Sequence, residues 1–405
     1  MIERPQPLAW LTRWARKDVV KVITGMRRCG KSTVLALFRD RLRNEGVDDA
    51  HILSINFESL DEEYPLEPRE LYRFVRERLA SGMNYVFFDE VQHVHDFQIV
   101  VDALAVRDDV DLYITGSNAY FLSGELATLL TGRYVEYQLL PLSFAEYRSA
   151  FDASHPTDRL FGRYLTYGGM PYVARLDNEQ SIADYLGGVF NTVLVHDIGT
   201  RHPRIDMRKF LATASFLADT VGSPVSLNRL SSGLAQAGRK VGVDAVGEYV
   251  DALLENYLLF RAQRYDVKGR AYLSSPDKYY LGDTGLRFWL LGKTAGDDGH
   301  RLENAVYLEL LRRARRVDVG RDGASEIDFV ASHEGGRAYY QVSQTVLAPE
   351  TLKRELAPLQ AVQDAYPKIL LTMDTVGLGD SDGIQVRNVI DWLLEQPSAG
   401  EGSRL

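Results

Sequence analysis

A mostly parallel α/β fold is predicted for residues 1–150 by two observations. Short β-branched or aromatic runs alternate with charged amphipathic stretches along this segment, a pattern that buries a sheet beneath helices on both faces. Between the run Val19-Val20-Lys21-Val22-Ile23-Thr24 and a helical stretch over 32–43 lies Gly25-Met26-Arg27-Arg28-Cys29-Gly30-Lys31-Ser32-Thr33, a full match to G-x-x-x-x-G-K-[ST]. Glycines in that order let backbone N–H groups curl around a polyphosphate at the positive end of the following helix. Residues 25–33 are therefore the nucleotide-binding candidates, with ATP as the expected ligand. Lys31 is expected to reach the β- and γ-phosphates, and Ser32 to hold Mg²⁺.

The next strand is expected over His51-Ile52-Leu53-Ser54-Ile55-Asn56-Phe57, followed by a charged helix over 69–79. Asn84-Tyr85-Val86-Phe87-Phe88-Asp89-Glu90 is an apolar strand that delivers two carboxylates to the carboxyl edge of the sheet, where ligands of such sheets bind. Asp89 suits the Mg²⁺ shell, and Glu90 suits the polarisation of an attacking water. A fourth strand, Asp111-Leu112-Tyr113-Ile114-Thr115, leads into Gly116-Ser117-Asn118. Ser117 and Asn118 stand where a polar group would sense the γ-phosphate, although Gly-Ser-Asn also reads as a simple turn. The order leaves a whole strand between the phosphate-loop strand and the Asp89 strand. A fifth strand is expected at Tyr134-Val135-Glu136-Tyr137-Gln138-Leu139. Just before it, in Thr131-Gly132-Arg133-Tyr134, Arg133 is a candidate to serve the γ-phosphate of a neighbouring subunit, with an ordinary surface arginine as the alternative.

Residues 151–205 read as a small helical lid, interrupted by Gly168-Gly169-Met170-Pro171. Residues 206–275 read as helix, short helix, helix and hairpin, the layout of a winged helix, with the hairpin turning at Lys268-Gly269-Arg270. Arg239, Lys240, Arg264, Lys268 and Arg270 are the candidate DNA contacts of that segment. Residues 276–395 form a second α/β unit. Glu303 on an amphipathic helix, Asp328 opening a strand, and Gln341 and Ser343 on the next strand follow the metal constellation of one nuclease fold, but Gln341 and Ser343 replace the glutamate and lysine that cleavage requires. A nuclease-like shell that does not cut is expected there. Residues 396–405 read as a flexible tail.

Length and charge bound the rest. At 405 residues the chain exceeds one ordinary core, and 45% hydrophobic with 25% charged residues is a globular composition. The single cysteine, Cys29, excludes an internal disulfide and a cysteine-based zinc site. No long apolar run and no signal-peptide layout occurs, so no membrane partner and a cytoplasmic location are expected. The net charge is −9, yet residues 201–275 carry 11 Lys and Arg against 7 Asp and Glu, while the other segments are acidic. A polyanion would be drawn to that basic segment first.

Taken together, these residues resemble the bacterial and archaeal AAA-type ATPases that carry a C-terminal domain of unknown function. The resemblance rests on 23–33, Phe88-Asp89-Glu90-Val91-Gln92, Thr115-Gly116-Ser117, Gly132-Arg133-Tyr134, Pro141-Leu142-Ser143-Phe144-Ala145-Glu146-Tyr147, and Glu303-Asn304 with Glu326-Ile327-Asp328-Phe329-Val330. It implies a P-loop ATPase, a winged helix and a degenerate PD-(D/E)xK, restriction-endonuclease-like domain. The expected activity is an oligomeric Mg²⁺-dependent ATPase, in a ring or a smaller assembly, that remodels or moves along DNA. The alternatives are a nucleotide-controlled switch that presents its C-terminal domain to a protein partner, and an active nuclease.

Overall fold

The computed structural model describes residues 1–59, 64–119, 132–269, 271–272, 276–293, 298–323 and 325–395. Thr131, Arg270 and the tail 396–405 lie outside the described residues. The chain divides into two compact units, one of residues 3–140 with 255–257, the other of 141–254 with 258–405.

The first unit holds a five-stranded sheet: β1 (Val20–Thr24), β2 (Ile52–Asn56), β3 (Asn84–Asp89), β4 (Val110–Gly116) and β5 (Tyr134–Gln138). All neighbours are parallel, in the order β2-β3-β4-β1-β5, so β4 is the strand inserted between β1 and β3. Every residue of β1 and β3 is buried, the signature of a parallel strand covered on both faces. On one face Val22, Ile55, Val86, Phe88, Leu112 and Ile114 pack with Leu71, Val75, Val100, Val101 and Leu104 of the helices Pro68–Arg76 and Phe97–Ala105. On the other, Phe87 and Tyr113 stack at 4.7 Å, and Phe38 of the helix Lys31–Asn44 meets Tyr113 at 5.3 Å. Period-2 alternation along β3 and β4 therefore sets which aromatic residues face which layer.

One buried charge pair interrupts this core. Lys21 of β1 bonds to Asp111 of β4, both side chains being essentially inaccessible. Asp111 also accepts the Tyr113 hydroxyl at 2.6 Å and the Arg16 N–H at 2.8 Å. Burial pulls the Lys21 ammonium below its ordinary pKa, against the pull of Asp111.

The second unit begins with the short helix Phe144–Ser149, closed by a reciprocal capping box between Ser143 and Glu146. The helices Thr157–Tyr167, Glu179–Asn191, Met207–Asp219, Leu227–Gln236 and Val243–Glu255 follow. Gly168-Gly169 does more than stop a helix. Asp283 is buried there and accepts N–H groups from Gly169 at 2.7 Å and from Gly285 at 2.8 Å. A Cβ at Gly168, whose φ is +82°, would fall 1.8 Å from the Asp283 Oδ1, so only glycine fits. Burial pushes the Asp283 carboxyl up to about 7.

The remaining strands are β6 (Leu259–Ala262), β7 (Arg264–Asp266), β8 (Ala271–Tyr272), β9 (Lys278–Leu281), β10 (Arg316–Asp322), β11 (Ser325–His333), β12 (Gly336–Ser343), β13 (Lys368–Thr372), β14 (Gly379–Ser381) and β15 (Ile384–Asn388). Eight form one sheet, β14-β15-β13-β12-β11-β10-β7-β8, while β6 and β9 pair separately. The hairpin expected within 261–272 pairs β7 with β8. β7 also lies parallel to β10, through Arg264 and Val319, which makes the hairpin the edge of the larger sheet. Local turn chemistry fixes a hairpin; it does not say which distant strand will satisfy its open edge.

Candidate nucleotide-binding site

The turn between β1 and the helix Lys31–Asn44 is built on two glycines with left-handed backbone, Gly25 at φ +148° and Gly30 at φ +106°. A Cβ at Gly25 would meet the Leu139 carbonyl oxygen at 2.2 Å, so the loop lies tight against the chain leaving β5. Arg4 fixes the same place from outside, donating to the Cys29 carbonyl at 3.1 Å and the Leu140 carbonyl at 2.8 Å. Because the helix starts at Lys31, its first-turn N–H groups have no intrahelical acceptor and face the loop, which is the donor set a polyphosphate needs. Met26 and Cys29 are buried loop lining, and Arg28 is exposed with φ +66°. Burial pushes the Cys29 thiol up, and its Sγ donates to the Leu139 carbonyl at 3.4 Å, as suits lining rather than redox sensing.

Lys31 is 3% exposed and points into the loop, donating to the Gly25 and Met26 carbonyls at 3.1 and 3.3 Å and to the Ser117 hydroxyl at 2.9 Å. Its ammonium also lies 3.1 Å from Glu90 Oε1. Glu90 accepts the Ser117 hydroxyl at 2.6 and 2.8 Å and the Gln92 amide at 2.5 Å. Burial raises the Glu90 pKa, but Lys31, Ser117 and Gln92 outweigh it and hold the carboxyl below its ordinary value. It is ionised at neutral pH. Glu90 adopts φ +54°, ψ +49°, an uncommon backbone for a residue with a Cβ and one that tends to occur at functional sites.

Asp89, one residue earlier, is buried in a different environment. The Thr115 hydroxyl donates to its Oδ1 at 2.6 Å and accepts the Glu90 N–H at 2.8 Å, so one side chain of β4 positions both acids. Desolvation raises the Asp89 pKa, partly offset by hydrogen bonds from Ser32 and Thr115. Ser32 is exposed at the helix start and bonded to Asp89, so the two oxygens suit a hard cation such as Mg²⁺. Asn118 is buried beside Ser117, and Thr33 is half-buried on the helix.

Sequence reasoning missed a second layer. Arg27 Nη2 pairs with Glu58 Oε1 at 2.6 Å, and His93 Nε2 lies 3.5 Å from the same oxygen. His93 and then Arg27 hold Glu58 down to about 2, and Glu58 in turn raises the His93 pKa. Thr115 had a signal in Thr115-Gly116-Ser117; Glu58 and His93 had none, because their partner is the loop arginine of a different segment.

Residues 17–148 match the family described as an AAA domain, and residues 158–297 match a domain of unknown function. An uncharacterized protein of Haemophilus influenzae is 38% identical over 400 residues, covering 98% of this chain and 99% of its own. An uncharacterized protein of Methanocaldococcus jannaschii is 26% identical over 309 residues, 73% of this chain and 67% of its own. The Walker-type ATPase of Pyrococcus abyssi shares the fold at a TM-score of 0.50 and 14% identity, over 72% of this chain and 96% of that one. The chain belongs to one family with the Haemophilus protein, and its residues 17–148 carry an AAA domain.

Arg133 lies outside the nucleotide loop. Its carbonyl accepts the Val20 N–H at 2.8 Å, at the start of β1, whereas the phosphate loop follows the end of that strand. Arg133 thus stands at the opposite end of β1 from the phosphate loop. The side chain is 51% exposed and meets Asp102 at 3.2 Å. Among the basic candidates of the second unit, Arg239 and Lys240 are exposed in the turn before the helix Val243–Glu255. Lys268 is 72% exposed and pairs with Asp322 at 2.9 Å. Arg264 must be corrected: its guanidinium pairs with Glu326 and is 12% exposed, because β7 is drawn into the sheet beside β11's neighbour β10. It is not available to a backbone phosphate. Arg270 lies outside the described residues.

The structure brings Glu303, Asp328 and Gln341 together. Asp328 Oδ2 accepts the Val342 N–H at 2.9 Å, and the Asp328 N–H reaches Gln341 Oε1 at 3.3 Å. Burial first, then Glu303, push the Asp328 carboxyl up to about 8. Ser343 turns away, its hydroxyl donating to the Thr345 carbonyl at 3.1 Å. Lys278 and Glu326, absent from the sequence-based site, complete the cluster. Among the described residues no helix is long and apolar enough to cross a membrane.

Proposed function

We propose that the protein is an oligomeric, Mg²⁺-dependent ATPase that couples hydrolysis to binding, remodelling or translocation of DNA. The observation that carries the ATPase part is the convergence of Lys31, Ser117 and Glu90 on one another at the loop that opens the helix Lys31–Asn44. A triphosphate bound at that helix start lies beside the Lys31 ammonium and within reach of an ionised carboxylate. Glu90 orients a water and takes its proton as the water oxygen attacks the γ-phosphorus and the bond to the ADP oxygen breaks. Ser117 keeps Glu90 and Lys31 in register. Magnesium held by Ser32 and Asp89 would neutralise the charge that develops on the phosphates. Thr115 orients Asp89 for that role and, through the Glu90 N–H, ties the two acids to one strand.

The exposure of Arg133, remote from its own loop, supports an action on the site of a neighbouring copy. Arg133→Ala should turn over ATP slowly, and mixing it with a Glu90→Gln chain that retains Arg133 should restore part of the rate in a coupled assay. A mixture no faster than the sum of its components removes the action in trans.

The basic balance of residues 201–275, with Arg239, Lys240 and Lys268 exposed, supports DNA as the polyanion. Duplex or forked DNA is expected to stimulate ATP turnover, with an apparent affinity that falls steeply as salt rises. Turnover indifferent to DNA at low salt would favour the nucleotide-controlled switch acting on a protein partner.

A further inference from the structure

Three carboxylates converge in the second unit, and a lysine stands among them. Glu303 comes from the helix Asp298–Arg313, while Glu326 and Asp328, two apart on β11, share one face of the strand. The Lys278 ammonium reaches them from β9, which is not part of their sheet. It lies 3.3 Å from Glu303 Oε1 and 2.9 Å from Glu326 Oε1, with its side chain 4% exposed. The Tyr280 hydroxyl donates to the same Glu303 oxygen at 2.7 Å, and Arg264 takes the second oxygen of Glu326. Gly222, at φ +73°, brings its backbone so close to the Glu303 carboxylate that a Cβ would approach its Oε1 to 2.9 Å.

Partly buried carboxylates that stay ionised are stabilised by positive charge at close range, supplied either by a metal or by a side chain. A divalent ion bound by Glu303 and Glu326 would sit about 2.0–2.6 Å from their oxygens, in the space the ammonium fills, and the like charge would repel it. Lys278 is a monovalent point charge with hydrogens to donate and no coordination site to offer a water. Among the described residues, no group of three or more His, Cys, Asp or Glu side chains is arranged to hold a metal ion.

We propose that Lys278 is a built-in cation that takes the place of a divalent metal, so that the C-terminal sheet is charge-balanced, metal-free and unable to cleave nucleic acid. The replacement of the expected strand residues by Gln341 and Ser343 then has a partner elsewhere: positive charge has moved to β9. This inference does not depend on the ATPase reading, because it concerns other residues and is tested without nucleotide.

The test is a Mn²⁺ titration of the nucleotide-free full chain, followed by electron paramagnetic resonance of free Mn²⁺. The unaltered protein is expected to show no site tighter than about 1 mM that depends on Asp328, whereas Lys278→Met should gain one at least about ten-fold tighter, since removing the ammonium leaves Glu303 without a cation and Glu326 with Arg264 alone. Asp328→Asn added to Lys278→Met should remove the gain, and Lys278→Arg should behave as the unaltered chain. Because Lys278→Met could lose stability, its melting is followed with and without Mn²⁺. A rise in Tm on adding Mn²⁺, confined to this variant, supports the proposal. The idea fails if the unaltered protein binds Mn²⁺ at an Asp328-dependent site. It also fails if Lys278→Met gains neither Mn²⁺ affinity nor Mn²⁺-dependent melting.

Discussion

Glu90→Gln is expected to bind ATP at least as tightly as the unaltered chain and to lower the turnover number by about 10²- to 10⁴-fold, the usual contribution of a general base. The amide keeps the shape of the carboxylate and can still accept the Ser117 hydroxyl, which now lies 2.6 and 2.8 Å from its two oxygens. It cannot take a proton. Losing the negative charge also releases Lys31 from its 3.1 Å pairing with Glu90, leaving the ammonium freer to engage phosphate. The local backbone, at φ +54°, is no harder for glutamine than for glutamate, so folding should be unaffected. Turnover measured beside calorimetric ATP affinity checks both halves. An unchanged rate means that another group takes the proton.

Asp111→Ala is expected to destabilise the first unit by about 3–5 kcal/mol, because it strands a buried ammonium in the middle of β1. The loss extends to the Tyr113 hydroxyl and the Arg16 N–H, which both donate to the same carboxylate. Lys21→Met should cost less, since those two donors continue to satisfy Asp111. Denaturant unfolding of the three proteins gives the order directly. A midpoint for Asp111→Ala equal to that of the unaltered chain would show that the ammonium finds other compensation.

These two residues also mark what was legible beforehand. The phosphate loop, Asp89 and Glu90 are contiguous motifs whose chemistry depends on spacing along the chain; that a strand separates β1 from β3 in the sheet was expected, but it is β4, which follows Asp89 in the chain, while β2 takes the edge. Lys21 reads as one polar residue within a strand, and its partner is supplied by β4. Lys278 is similarly anonymous until β9 brings it to Glu303 and Glu326. The turn at 268–270 was visible from its glycine and charges, but the sheet it would join depends on β10 and could not be. Arg264 followed from the same gap: its basic character suggested a surface contact, whereas the strand pairing carries it to Glu326. Gly168-Gly169 reads as a helix stop from its sequence alone, because Asp283, whose carboxylate leaves no room for a Cβ at position 168, is distant in sequence. Local chemistry was readable wherever one segment contains both partners; long-range pairing decided the rest.

The central claim is that the loop over 25–33 grips a triphosphate whose breakdown Glu90 directs. Calorimetric titration of ATP with Mg²⁺ into the purified chain and into Lys31→Met tests it most directly. Saturable heat in the unaltered protein, lost in Lys31→Met, is the predicted result. No heat with ATP in the presence of metal, or heat that survives the loss of the Lys31 ammonium unchanged, would contradict it.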